Sequence, residues 1–217
     1  MIVYLHSAEK AKNIRTFDRH RRSDVRHIVL PKGPDIRLIA EFVVSHFSDE
    51  EKQKPEGLIE LLVINSDGTG GEIYIGGADA EGSIIYIGNA FSFGRSFARL
   101  LAPPRKGGQG IEIHGAAAAA PERDPRSGNI VDPNYGLKFI FALACGFNSR
   151  VRASCEPQVS GNEEFFGETL AEAYPGDGDW EDHVFVRPGQ DNPGNFASRR
   201  DAILTGKTIT DIRRLPI

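Results

Sequence analysis

The spacing of apolar positions along the chain changes in a way that predicts alternating strands and helices. Residues 2–5 form a short apolar run, read as a first strand, and residues 27–30 a second, stopped by Pro31. Pro34 then opens a helix in which Ile36, Ile39, Ala40, Val43, Val44 and Phe47 fall on one face. The polar run 48–57 ends it. Residues 58–64 are almost all apolar, interrupted by Glu60, and read as a central parallel strand. Two short β-rich runs, 72–75 and 83–87, with Gly and Asp between them, predict a hairpin. Phe91, Gly94, Ser96, Phe97, Leu100 and Leu101 suggest the next helix, ended by Pro103-Pro104. Residues 110–114 climb as another buried strand to His114-Gly115, where the chain breaks into five alanines and Pro121. The loop 121–133 is long and polar. Leu137, Ile140, Phe141, Ala144 and Cys145 form a further helical face, with Gly146 at the expected C-cap. A short strand through Val151 and Ala153 ends at Ser154-Cys155. A polar excursion then runs to Asp179, and residues 180–186 read as a terminal strand. Residues 188–195 read as a linker, and 196–217 as a short helix followed by extended chain.

This order predicts an α/β fold: a mostly parallel sheet with helices on both faces. Residues 1–188 would form the α/β domain and 189–217 a C-terminal extension. Open sheets of this kind place their sites beyond the carboxyl ends of the strands. Two such ends carry polar residues here, Asn65-Ser66-Asp67-Gly68 and His114-Gly115-Ala116. As neighbours they would border one pocket.

Composition narrows the chemistry. The net charge of −4 and pI near 5.9 give no reason to expect nucleic-acid binding. A basic stretch from Lys10 to Arg26 reads as a solvated face, with an anion or acidic-partner patch as the alternative. Cys145 and Cys155 make neither a disulfide framework nor, without a nearby His at ligand spacing, a zinc site. Gly68-Thr69-Gly70-Gly71 lacks the spacing and the Lys-Ser/Thr pair of a phosphate loop. Neither a cofactor nor a metal is expected. The N-terminus has no secretory signal and no apolar run is long enough to span a membrane, so the expected location is cytoplasmic and off the membrane. Export by a route that reads no cleaved signal stays open.

With Ser66-Asp67-Gly68 after one strand, a Gly-containing hairpin from 71 to 88, and Gly115-Ala116 after the next strand, the chain resembles the caspase-like fold. That group includes caspases, gingipains and separase. Above all it resembles a bacterial caspase-like domain of unknown function from large repeat-bearing surface proteins. Ala153-Ser154, Ser160-Gly161 and Gly178-Asp179-Trp180 follow in the same order as that domain's later motifs. The resemblance covers roughly residues 1 to 188. It implies a His after the third strand that activates a Cys after the fourth to attack a peptide carbonyl. At those positions this chain carries Asp67 and Ala116. Alanine is no nucleophile, and an aspartate would raise a nearby thiol pKa. The resemblance also implies a groove lined by Ser66, Gly68, Gly115, Ser154 and Trp180.

Two functional expectations follow. The first is a catalytically inactive caspase-like domain that binds a protein or peptide partner, with pairing of two copies at a sheet edge also open to it. The alternative is a cysteine peptidase of the same group, with its nucleophile substituted at Ala116 or displaced to Cys155 with His114 as base. A weaker third is an unrelated hydrolase in which Asp67 and His114 activate water. Asp177, Asp179, Glu181 and Asp182 surround Trp180 and read as a solvated loop, with calcium or a basic peptide as the alternative ligand.

Overall fold

The computed structural model describes residues 1–10, 24–76, 83–106, 108–156 and 169–188. Seven strands form the main sheet: β1 (Ile2–His6), β2 (Val25–Val29), β3 (Leu61–Asn65), β7 (Gly110–His114), β10 (Val151–Ser154), β11 (Thr169–Ala173) and β12 (Val184–Pro188). Their spatial order is β12-β11-β10-β7-β3-β1-β2. The pairs from β2 through β10 are parallel, while β11 runs antiparallel to both β10 and β12. A second sheet is built from β4 (Gly68–Thr69), β5 (Glu72–Tyr74) and β6 (Ile84–Tyr86), all antiparallel. The third is a hairpin of β8 (Glu122–Arg123) and β9 (Ile130–Asp132). Among the described residues the α-helices are α1 (Ile39–Ser45), α2 (Asp49–Gln53), α3 (Ile87–Phe97) and α4 (Tyr135–Phe147).

Strand alternation gives the main sheet two unlike faces. One carries Val3, Leu5, Ile28, Leu62, Ile64, Ile111, Ile113, Val151, Ala153 and Ala171, all buried in a single apolar core with residues of α1, α3 and α4. Arg26 shares that face. It donates to the His46 carbonyl at 2.7 Å and reaches both oxygens of Glu51, which ties β2 to α1 and α2. The other face carries Tyr4, His6, Asn65, Glu112, His114, Arg152, Ser154 and Glu172, polar yet mostly buried. Among the described residues the α-helices pack against the apolar face. The described helices bear on that face only; Ser160-Gly161, residues 11–23 of the basic stretch, the linker after Pro188 and the C-terminal extension lie outside the described residues.

Several elements differ from the sequence reading for local reasons. Pro34 does not start an α-helix. Asp35 caps a 3-10 turn at Ile36–Leu38 through Arg37 N–H, and α1 follows directly. The run 48–57 contains α2, because Ser48 and Glu51 complete a reciprocal capping box. Gly146 lies inside α4 rather than beyond it. The cap is Asn148, in the left-handed region at φ 49°. Gly146 is there because α3 crosses at that point: a Cβ would stand 2.4 Å from the Phe91 carbonyl oxygen. The polar excursion after Cys155 contains β11. β5 and β6 pair antiparallel, and residues 77–82 between them lie outside the described residues. Among the described residues no helix is long and apolar enough to cross a membrane.

Candidate functional site

The two polar strand ends are neighbours. Asn65 and His114 are in register at the carboxyl ends of β3 and β7. Ser66 N–H donates to the His114 carbonyl at 3.0 Å. Gly115 takes φ 83°, where a side chain would be strained, and a Cβ there would lie 2.7 Å from the Ser66 carbonyl oxygen. A Cβ on Gly68 would come within 2.9 Å of the Ala116 Cβ. The two turns therefore touch because both lack side chains at the contact.

This contact leaves little room for chemistry. Ser66 and Ala116 are fully buried, and Ala117, Ala118 and Ala119 after them are buried too. The alanines pack against neighbouring elements: Ala119 N–H donates to the Ser154 carbonyl at 3.0 Å, and a Cβ on Gly136, at the start of α4, would lie 2.3 Å from the Ala120 carbonyl oxygen. Small residues here serve close helix packing. Asp67 is half exposed, and its Oδ1 pairs with Lys10 Nζ at 2.7 Å, on the loop after β1. A cavity of about 670 Å³ lies elsewhere, between residues 33–37 and the Asn89, Ser92, Phe93, Ser96 side of α3.

The carboxylate beside His114 is that of Glu112, not of Asp67. Residues two apart on a strand share a face, and Glu112 Oε2 stands 3.1 Å from His114 Nε2. Arg152 is opposite Glu112 in the register and pairs with its other oxygen. Burial by itself would raise the Glu112 carboxyl. The Arg152 guanidinium, followed by the hydrogen bond and charge of His114, outweighs it and holds the group down at about 2. The charges continue outward across the sheet: Glu172 neighbours Arg152 on β11, and Arg187 Nε on β12 lies 3.5 Å from Glu172 Oε2. A second polar chain runs toward the other edge. Asn65 Nδ2 is 3.2 Å from His6 Nδ1, and His6 Nε2 is 3.0 Å from His27 Nδ1. Sequence reasoning passed over Lys10, Glu112, Arg152, His6, His27 and Asn65 as partners. The available signal was period-two alternation, Glu-x-His in β7 and Tyr-x-His in β1, which places both members of each pair on one face.

Ser154 joins the strand-end row, since Ala153 pairs with Ile113. It is fully buried, and its hydroxyl donates to the Glu156 carbonyl at 2.7 Å. Cys155 follows it, half-buried; burial, then the Glu156 charge, push its thiol up to about 12. Cys145, on α4, has its Sγ 3.7 Å from the Gly176 carbonyl oxygen. Trp180 is not brought to the row. β11 runs antiparallel to β10, so the loop after it returns to the opposite end of the sheet, where Trp180 opens a 3-10 turn packed on α4. Asp177, Asp179, Glu181 and Asp182 share that loop. Among the described residues no group of three or more His, Cys, Asp or Glu is arranged to hold a metal ion. No protein family, curated protein or solved structure matches this chain.

Proposed function

We propose that this chain is a non-catalytic caspase-like domain that acts as a protein- or peptide-binding module. The observation that carries the reading is the joint position of Asp67 and Ala116. Ser66-Asp67-Gly68 follows the third strand of the main sheet in chain order, and Gly115-Ala116 follows the fourth, the order on which the resemblance rests. The two motifs touch, as a His–Cys dyad would require. Yet one position is an alanine with no exposed surface and the other is an aspartate already paired with Lys10. On this reading the two positions of a dyad are kept without its chemistry. A nucleophile displaced to Cys155 is disfavoured by its thiol: held at about 12, it stays protonated at neutral pH, and the thiolate is the reactive form.

The test is a peptide-library cleavage assay on this chain beside Cys155→Ser. The expected result is no cleavage by either protein, with Cys155 alkylated at pH 7.5 more slowly than free cysteine. Cleavage by the parent chain that disappears in Cys155→Ser would make it a peptidase and end the binding-module reading.

A further inference from the structure

The small sheet beyond the strand ends has one buried face and one open face. Ile73 and Ile85 pair across β5 and β6 and are both buried, so Glu72, Tyr74, Ile84 and Tyr86 point outward. Glu72 is opposite Tyr86 on one side and Thr69 on the other. Its Oε2 accepts from the Tyr74 hydroxyl at 3.1 Å. Tyr86 is 45% exposed, enough for its ring to meet a ligand. A third tyrosine borders the same face: the Tyr135 ring lies over Gly71, where a Cβ would come within 2.2 Å of it. Burial, then the charges of Glu122 and Glu72, raise the Tyr135 phenol, so both carboxylates act on that ring. Asp132 also acts on it but is matched by Lys138 Nζ at 2.8 Å. Glu72 and Glu122 enter no ion pair among the described residues.

We propose that this tyrosine-lined face docks a lysine- or arginine-bearing peptide segment of a partner protein. The inference rests on the binding-module reading, under which the segment is held and not cut. The occupant is chosen by charge: Glu72, with no ion pair among the described residues, stands beside Tyr74 and opposite Tyr86, and the charge of Glu122 reaches Tyr135 at the border of the face. A cation there gains both the Coulomb attraction and the negative faces of the rings. The aliphatic stem of a Lys or Arg matches the Ile84 and tyrosine surface beside them. An acidic segment meets repulsion at the same place. The face also adjoins the strand ends, since Tyr74 N–H donates to the Asp67 carbonyl at 2.8 Å and Gly71 N–H to that of Ala118 at 3.0 Å.

The experiment is fluorescence anisotropy of the full chain with three labelled decapeptides, alternating Lys-Ser, Gln-Ser and Glu-Ser. The variants are Glu72→Gln with Glu122→Gln, Tyr86→Ser, and Asp177→Asn with Asp179→Asn as a control on a distant acidic loop. Circular dichroism checks that each is folded. The Lys-Ser peptide is expected to bind and the other two to bind far more weakly. Removing both carboxylates is expected to weaken binding about tenfold and flatten its salt dependence. Tyr86→Ser is expected to weaken it about threefold with the salt dependence kept, and the control to change nothing. Equal Lys-Ser binding by the parent and the Glu72→Gln, Glu122→Gln protein, or no Lys-Ser binding by the parent, overturns the docking face. Mass spectrometry of the recovered peptide separates the two ideas. An intact peptide indifferent to the carboxylates sinks this inference alone, whereas a cut peptide sinks the non-catalytic reading beneath it.

Discussion

His6 is a histidine with no exposed surface at the carboxyl end of β1, its ring 6.1 Å from that of Tyr4 and 5.3 Å from that of His27, which are themselves 4.8 Å apart. Burial, then the charge of His27, push it down from 6.5 to about 4. Between those two values the unfolded chain holds a proton that the folded chain does not. Stability therefore falls as pH drops from 6.5 toward 4, by at most about 3 kcal/mol from this group. Urea midpoints at pH 7.5, 5.5 and 4.5 should decline in the parent and decline less in His6→Gln; equal declines would place the acid sensitivity elsewhere. Glu112 acts lower on the scale. Its carboxyl is depressed to about 2, so its contribution is present above pH 4.5 and lost as pH falls through 2. Arg152→Met leaves that carboxylate buried without its guanidinium, and should cost about 3–5 kcal/mol at pH 7 by denaturant titration. Adding Glu112→Leu removes the stranded charge and should restore most of the loss.

At the scale of elements, α3 and α4 meet through two glycines. A Cβ on Gly94 would stand 2.7 Å from the Phe147 nitrogen, and one on Gly146 would stand 2.4 Å from the Phe91 carbonyl oxygen. Both contacts are with backbone, which cannot swing aside. Gly146→Ala should therefore destabilise the chain by about 1–3 kcal/mol by overpacking, against a helix propensity that would favour alanine by about 1 kcal/mol. A higher urea midpoint in this variant would show that the helices separate freely. This glycine marks the reach of sequence reading. A Gly after an apolar helical face is an ordinary C-cap signal, and nothing local distinguishes it from a Gly that admits another helix. α1, α3, α4 and the central strands were legible because their apolar periodicity is strong, whereas α2 is a polar run with no buried residue. β11 was not, because Thr169-Leu-Ala-Glu-Ala carries one large apolar residue and owes its burial to the strands on either side.

For the molecule as a whole, stability should be centred on β3 and β7, whose ten residues are all buried. Among the described residues it should be lowest at the β8–β9 hairpin, where Ile130 and Val131 are 49% and 62% exposed. Native-state hydrogen exchange is expected to open the β3 and β7 amides only with global unfolding, and the hairpin amides far earlier. Uniform protection across both would refute this gradient.

The sequence by itself determined the alternating α/β order, the central strands and the two polar strand ends, because each depends on short-range periodicity and on turn residues that act locally. It also placed Asp67 and Ala116 just beyond two of those strand ends. Only the tertiary structure decided what those residues meet. The β3–β7 register brought Gly68 against Ala116, the loop after β1 carried Lys10 to Asp67, and the pairing of β10 with β7 set Arg152 against Glu112. The antiparallel direction of β11 sent Trp180 to the far end of the sheet. These partners are separated by 40 or more residues, and which one a charge meets depends on strand order and register, which no local pattern in the chain encodes.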